Sequence, residues 1–273
     1  MLLSLDSGVS ALDQFQQDLN VIGNNIANVD TVGFKSANMQ FADALSQTIG
    51  ANAAGVEQIG TGVVTSSITD SFTQGSITST GVSSNLAIDG NGFFIVKDPT
   101  SGEQYVTRDG NFTVDSSGYL VNSVGMRVQG YTNSTDSTVG DIQITNANDP
   151  TTDTSAVQSY TIGSNGDVNV LLADGSQFTG GQVLLQNFTS PTQLTSVGNN
   201  LFNGMAGAGP LAAPTAPTAS GLGTIVSGSL EMSNVDLASQ LTALITAQRG
   251  FEANAQTVTT SNEVLQDLVN LKH

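Results

Sequence analysis

The stretch LDSGVSALDQFQQDLNVIGNNIANV, Leu5 to Val29, decides the fold. Leu5, Leu12, Leu19 and Ile26 recur every seven residues, and Phe15, Ile22 and Val29 follow the last three of them by three. That is the spacing of a helical seam whose apolar side chains meet a partner helix. As one helix the stretch spans about 37 Å at 1.5 Å per residue. Asn24, Asn25 and Asn28, then Gly33, lower helix propensity towards its end.

The far end of the chain repeats the pattern. Leu237, Leu244, Phe251, Val258 and Leu265 recur at sevens, and Leu241, Ala255 and Val269 follow Leu237, Phe251 and Leu265 by four. Gln248 and Asn262 take the remaining seam slots, where polar residues cost stability but fix register and partner choice. Ser233, Asn234, Val235 and Asp236 read as a capping-box-like start, with the acid in the first turn. Each end could instead lie as an amphipathic helix on its own globular domain. Three or more heptads at both ends favour two helices that pack on each other.

Proline separates the ends from the middle: all six prolines lie between Pro99 and Pro217, so both ends are free to be helical. Between them, Asn85 to Lys97, Gln104 to Arg108, Asn111 to Asp115, Gly140 to Thr145, Asp167 to Ala173 and Gln182 to Phe188 are short β-branched or aromatic runs. The dipeptides Asp89-Gly90, Asn91-Gly92, Asp109-Gly110, Asn165-Gly166 and Asp174-Gly175 punctuate them as turns. The expected fold is mixed α and β: N- and C-terminal helices paired as a coiled coil, with an extended connector and one antiparallel β domain inserted between them. The segments are 1–30 (helix), 31–80 (irregular extended connector), 81–203 (antiparallel β domain), 204–227 (flexible Ala/Pro/Gly return segment) and 228–273 (helix).

Composition narrows the chemistry. Among 273 residues, 38% are apolar and 11% charged, and Ser, Thr, Asn and Gln make up most of the rest. Six basic against 23 acidic side chains leave a net charge of −17, which repels nucleic acid and anionic membranes. With no cysteine, and His273 as the only histidine, neither thiol chemistry nor a serine–histidine dyad is expected. The opening residues lack a basic region of the kind a cleaved secretory signal carries, and no apolar run reaches the roughly 18–20 residues of a membrane span. The acidic strand ends Asp89, Asp109, Asp115 and Asp174 lack the D-x-D-x-D-G spacing of a calcium loop and read as turn formers. Gly60-Thr61-Gly62 lacks the third glycine of a dinucleotide fingerprint. Arg249 with Glu252 three residues on reads as an ion pair on a helix surface. No catalytic residue, cofactor or metal is expected; long apolar seams without a large domain to cover them point to an assembled subunit.

Two segments also resemble a known family. LNVIGNNIANVDTVGF at Leu19 to Phe34 resembles the N-terminal signature of axial proteins of the bacterial flagellum. Gly228 to Leu271 is similar to the C-terminal one, through SNVDL at Ser233 to Leu237, AQRGFEANAQT at Ala247 to Thr257 and LVNL at Leu268 to Leu271. The signature residues are Asn24, Asn25, Asn28, Gly33, Phe34, Ser233, Asn234, Val235, Gln248 and Arg249. FADAL at Phe41 to Leu45, Ile68 to Gly81, LAIDGNGFF at Leu86 to Phe94 and LVNSVGMRVQGY at Leu120 to Tyr131 are similar to hook members of the family. IGTG at Ile59 to Gly62, TRDGNF at Thr107 to Phe112 and the chain's length are shared with distal rod members. Hook proteins commonly carry a further outer β domain, for which 273 residues leave no room.

The resemblance implies a non-enzymatic flagellar hook subunit that polymerises into a flexible tube carrying torque, with a distal rod subunit as the alternative. Its partners would be further copies of itself in a helical homopolymer, adjoining rod, hook-cap and hook–filament junction proteins, and the flagellar type III export apparatus, without membrane insertion. The seam residues expected to hold it are Leu5, Leu12, Phe15, Leu19, Ile22, Ile26, Leu237, Leu241, Leu244, Phe251, Val258, Leu265 and Val269. From another class, a secreted carbohydrate-binding β protein needs exposed aromatics, and four Tyr, eleven Phe and no Trp make a poor supply.

Overall fold

A computed structural model describes residues 2–52, 55–133, 138–146, 155–211, 213–219 and 221–270. Helix α1 covers Leu2–Ala27, followed by strands β1 (Ala37–Asp43), β2 (Ser46–Asn52), β3 (Gly55–Gly60), β4 (Val63–Asp70) and β5 (Ile77–Ser79). Next come β6 (Leu86–Asp89), β7 (Phe93–Lys97), β8 (Gln104–Thr107), β9 (Thr113–Val114), β10 (Leu120–Val121), β11 (Arg127–Tyr131) and β12 (Val139–Asp141). The later strands are β13 (Val157–Ile162), β14 (Asp167–Leu172), β15 (Gln177–Val183), β16 (Leu185–Gln186), β17 (Thr195–Gly198) and β18 (Leu201–Asn203). A short helix α2 (Met205–Ala208), β19 (Thr224–Ser227), β20 (Ser229–Glu231) and the long helix α3 (Leu237–Asn270) complete the order. The architecture is mixed helix and mostly antiparallel β, with the N- and C-terminal helices packed together.

The chain divides into two compact units, each assembled from separate segments. The first joins Met1–Val29, Ser36–Ser71 and Val235–His273. In it α1 runs antiparallel to α3, and the β1–β4 ladder lies along α1. Phe15 of α1 meets Phe41 of β1 with ring centroids 5.7 Å apart. Strands β2 and β3 form a hairpin beyond that ladder. Residues 31–80, expected to be an irregular connector, therefore carry five strands. Their Ser, Thr and Gly content hid them, but in β4 half-buried Val63, Thr65 and Ser67 alternate with exposed Val64, Ser66 and Ile68, as a half-exposed ladder allows.

The second unit joins Asp30–Lys35 and Phe72–Asn234. Its main sheet runs β13-β14-β15-β11-β7-β8-β18-β17, with all pairings antiparallel. Strand β7, FFIVK, shows why the sequence reads as it does. Phe94 and Val96 point into one core cluster and Phe93 and Ile95 into the other, because successive side chains leave opposite faces of a strand. With both faces covered the strand can be continuously apolar. Phe94 meets Phe112 nearly at right angles at 5.2 Å, and on the other face Phe93 is ringed by Phe72, Phe188 and Phe202 in edge-on contacts.

Gly90, Gly92, Gly166 and Gly175 adopt the positive φ expected of their turns. Gly110 does not: a Cβ there would lie 1.6 Å from the Leu86 carbonyl oxygen, so glycine is required by close approach of two backbones.

Segment 204–227, expected to be a flexible return, packs instead. Ala208 is buried, Pro210 bridges to Phe188 and Thr215 to Leu185, Leu222 and Ile225 enter the core, and β19 pairs with β6. Small Ala and Pro side chains resemble a linker in composition, yet they also lie flat against a sheet. The C-terminal helix, expected within 228–273, begins only at Leu237. Before it, β20 pairs with β5, and Asp236 caps the helix by accepting from the N–H of Ala238 at 2.9 Å. Asp236 is thus a capping residue of α3.

Candidate assembly site

In the first unit the α1–α3 pair is organised around Asn25. Its Oδ1 accepts from the Ala37 N–H at 3.0 Å and its Nδ2 donates to the Ala37 carbonyl at 2.8 Å, completing the start of β1 as a neighbouring strand would. The same Nδ2 reaches Gln240 Oε1 on α3 at 3.2 Å. Asn25 is fully enclosed, and every bond it makes would be lost to an aliphatic residue. Asn24 and Asn28 act locally: Asn28 Nδ2 donates to the Asn24 carbonyl at 2.9 Å where α1 ends.

The two helices approach closely through glycine. A Cβ on Gly250 would sit 2.7 Å from the Phe15 ring, and one on Gly8 would meet Val258 at 2.9 Å. On α1 the seam residues Leu5, Leu12, Phe15, Leu19 and Ile26 are half-buried and Ile22 is buried. On α3, Leu244, Val258 and Leu265 are half-buried, but the buried residue is Ala247, flanked by Gln240, Ala243, Gly250, Asn254 and Ser261. Small side chains fill this face because the helices are too close for large ones. Leu237, Leu241, Phe251 and Val269 are between 36% and 64% exposed, as are Ile245, Val264 and Leu268. Phe41, Val64 and Ile68 add exposed apolar surface on the β1–β4 ladder. Gln248 is exposed, and Arg249 pairs with Glu252 at 2.8 Å on the helix surface as a solvated pair.

In the second unit the remaining signature residues surround an ion cluster. Glu231 Oε1 accepts from Lys35 Nζ at 2.6 Å and from the Gly75 N–H at 2.9 Å, and Oε2 faces Arg108 Nη1 at 3.2 Å. Lys35 Nζ also donates to the Thr73 carbonyl at 2.8 Å, and Arg108 Nη2 to the Gly90 carbonyl at 2.9 Å, with its guanidinium over the Phe93 ring. All three charged side chains are almost completely buried. Gly33 donates its N–H to the Glu231 carbonyl at 2.8 Å. Its φ of +68° and the 2.6 Å separation of a virtual Cβ from the Asp109 nitrogen leave room for glycine alone. Phe34 is half-buried beside it, Ser233 follows two residues after Glu231, and Asn234 Nδ2 donates to Thr73 Oγ1 at 2.9 Å. Val235 is half-buried in the first unit.

Sequence reading missed Lys35, Arg108, Glu231 and Gln240. A signal existed for two of them: with only six basic residues, a lysine and an arginine next to the glycines Gly33 and Gly110 are conspicuous. Nothing local in SLEMSN distinguishes Glu231 from a surface acid.

Burial sets the electrostatics. It pushes the Lys35 ammonium below its ordinary range, with Glu231 pulling back, and acts in the same direction on Arg108. It raises the carboxyls of Asp18 and Asp70 in the first unit and Asp109 in the second, where the Asn111 N–H opposes it. Among the described residues no group of three His, Cys, Asp or Glu side chains could hold a metal, and no helix is long and apolar enough to cross a membrane.

The packed helix pair carries a broad exposed apolar surface among the described residues. Three family models match the chain: "Flagella basal body rod protein" over residues 5–35, "Flagellar hook protein FlgE/F/G D1 domain" over 87–170, and "Flagellar basal body rod FlgEFG protein C-terminal" over 226–271. The flagellar basal-body rod protein FlgG of Bacillus subtilis is 42% identical over 280 residues, covering 100% of both chains. FlgG of Caulobacter vibrioides is 37% identical, covering 98% of this chain and 99% of that protein. The hook protein FlgE of Treponema pallidum is 45% identical over 141 residues, 48% of this chain and 30% of the hook protein. The chain belongs to the bacterial flagellar rod and hook family of axial proteins, and its place is the flagellum.

Proposed function

We propose that this chain is a subunit of the distal flagellar rod, a non-enzymatic building block that polymerises with copies of itself and with neighbouring axial proteins. The hook reading drawn from sequence is the second choice. The observation that carries the rod reading is end-to-end correspondence: relatives named as rod proteins match over essentially their whole length, whereas the hook match spans less than half of this chain. The exposed apolar side chains Leu237, Leu241, Ile245, Phe251 and Leu268 of α3 support self-assembly, because apolar surface of that kind is costly unless another surface covers it. In this reading the paired terminal helices adopt coiled-coil packing in the assembly, and the chain reaches its site through the flagellar type III export apparatus.

The test is electron microscopy of flagella from a deletion strain restored with a chain carrying an epitope in the exposed turn 99–102. Label along the straight shaft below the hook supports a rod subunit. Label along the curved segment returns the assignment to the hook, and flagella without label contradict both.

A further inference from the structure

Three asparagines of the second unit precede glycine: Asn91, Asn165 and Asn203. In such a pair the glycine nitrogen can attack the asparagine side-chain carbon, because glycine places no Cβ against the ring that forms. The reaction needs a nitrogen not held elsewhere, a carboxamide beside it, space for a five-membered ring and access for water. The fold withholds these at two of the three sites.

At Asn165 the Gly166 N–H donates to the Gly163 carbonyl at 2.9 Å, and the side-chain Nδ2 donates to Asp167 Oδ2 at 2.6 Å. Gly166 is buried, and a Cβ on it would lie 2.4 Å from the Val183 carbonyl oxygen, so the backbone there has no room to rearrange. At Asn91, Gly92 is buried against Leu185 and Leu222, and the Asn91 carbonyl accepts from the Gly223 N–H at 2.7 Å. Asn203 differs on each count. It ends strand β18 on the surface, and Gly204 after it is exposed as well. The Gly204 N–H faces Asn203 Oδ1 at 2.6 Å. With a C=O bond of about 1.23 Å, the carboxamide carbon is then within about 3.8 Å of that nitrogen, near the roughly 3–3.5 Å at which reacting atoms are poised. A Cβ on Gly204 would meet nothing nearer than 3.5 Å, so the turn has room for the ring.

We propose that Asn203 is a self-acting modification site, where the folded chain converts its own asparagine to aspartate and isoaspartate with water as co-reactant. The Gly204 nitrogen gives its proton to solvent and bonds to Asn203 Cγ. The Cγ–Nδ2 bond breaks, and Nδ2 takes up a proton and leaves as ammonia. Water then opens the cyclic imide: attack at Cγ restores the ordinary main chain as aspartate, and attack at the main-chain carbonyl leaves Gly204 joined through Cγ as isoaspartate. No group is oxidised or reduced. Both products add a negative charge, and isoaspartate lengthens the main chain by one carbon between β18 and α2. Asn203 is paired with Thr195 of β17, and Ala208 of α2 is buried with Phe188 and Phe202. The mark therefore accumulates with the age of the molecule and loosens the seat of α2.

The test follows peptides covering the three sites by mass spectrometry while the purified full chain stands in neutral buffer made with oxygen-18 water, native or in denaturant. In the native chain Asn203 should convert about tenfold faster than Asn91 or Asn165, giving aspartate and isoaspartate that each carry one heavy oxygen. In denaturant the three rates should converge, because each site is then an Asn-Gly pair in an open chain. Gly204→Ala should slow the native reaction. Asn203→Gln should abolish it, and this second variant covers the case in which alanine at a φ of +81° disturbs the turn. An unmodified Asn203, native conversion of Asn91 or Asn165 at an equal rate, or the same ranking in denaturant would overturn the assignment.

Discussion

Glu231 and Lys35, 196 residues apart in sequence, meet at 2.6 Å in the interior of the second unit, with neither side chain reaching solvent. One carboxylate there serves two cations and a backbone N–H, and through them it ties the segments around Gly33, Thr73, Gly90 and Asn234. A buried pair of this kind adds little over a well-packed apolar substitute, but removal of one member leaves the others charged and unpaired.

Glu231→Ala is therefore expected to destabilise the second unit by about 3–5 kcal/mol. Chemical denaturation of the purified chain, followed by Tyr fluorescence, reads the change; a loss under 1 kcal/mol would mean that water or a neighbour takes over the carboxylate's role.

Asn25→Leu removes both bonds to Ala37 and the one to Gln240 while keeping side-chain size. The stranded backbone groups of Ala37 should cost about 1–3 kcal/mol. Amide exchange at Ala37 should accelerate along with that loss, whereas unchanged exchange would show that Asn25 merely fills space.

Gly250→Leu places a side chain where the Phe15 ring stands. Overpacking of this type costs about 1–3 kcal/mol even though leucine favours helix more than glycine does. Helical circular dichroism on heating checks the sign: a higher melting temperature would mean that the helices separate without penalty.

Mild acid should stabilise the chain. Asp18, Asp70 and Asp109 have folded-state carboxyls raised by burial, so in the window just above the ordinary aspartate range the folded state binds more protons than the unfolded one. Their stabilisation is present below the unfolded value and is lost as pH rises through the raised folded values. Relief of the −17 net charge acts in the same direction. Asp141 opposes: despite burial, Arg127 and Gln129 hold its carboxyl low, and that contribution is lost as pH falls through its folded value. Thermal melts between pH 7 and pH 5 should show a rising midpoint, and Asp109→Asn should flatten the rise.

Sequence made some of this architecture legible and hid the rest for identifiable reasons. The heptads of Leu5 to Val29 announce α1 because its seam is built of large apolar residues. On α3 the same counting finds Leu244, Val258 and Leu265, which are half-buried, together with Leu237, Leu241 and Phe251, which stay exposed, and it passes over Ala243, Ala247 and Gly250. Periodicity detects side-chain size, and close helix packing rewards its absence. Strand β7 was visible because both its faces are covered; β1 to β4 were not, because a half-exposed ladder rich in Ser and Thr resembles a loop. The Asn-rich end of α1 reads as helix-breaking, and only three dimensions show Asn25 acting as a partner for β1. The Glu231 cluster joins residues distant in sequence, which no local pattern can announce.

The most direct measurement concerns Phe251, an apolar α3 residue that is 36% exposed in the isolated chain. If the exposed apolar surface of α3 is an assembly surface, Phe251→Asp should leave the purified chain folded, with a melting temperature lowered only modestly, since Phe251 is already 36% exposed in the isolated chain. The same variant should be absent from flagellar structures in a strain lacking the parent chain, because assembly would bury the new charge. Normal incorporation of a normally folded Phe251→Asp chain would contradict self-assembly through this face.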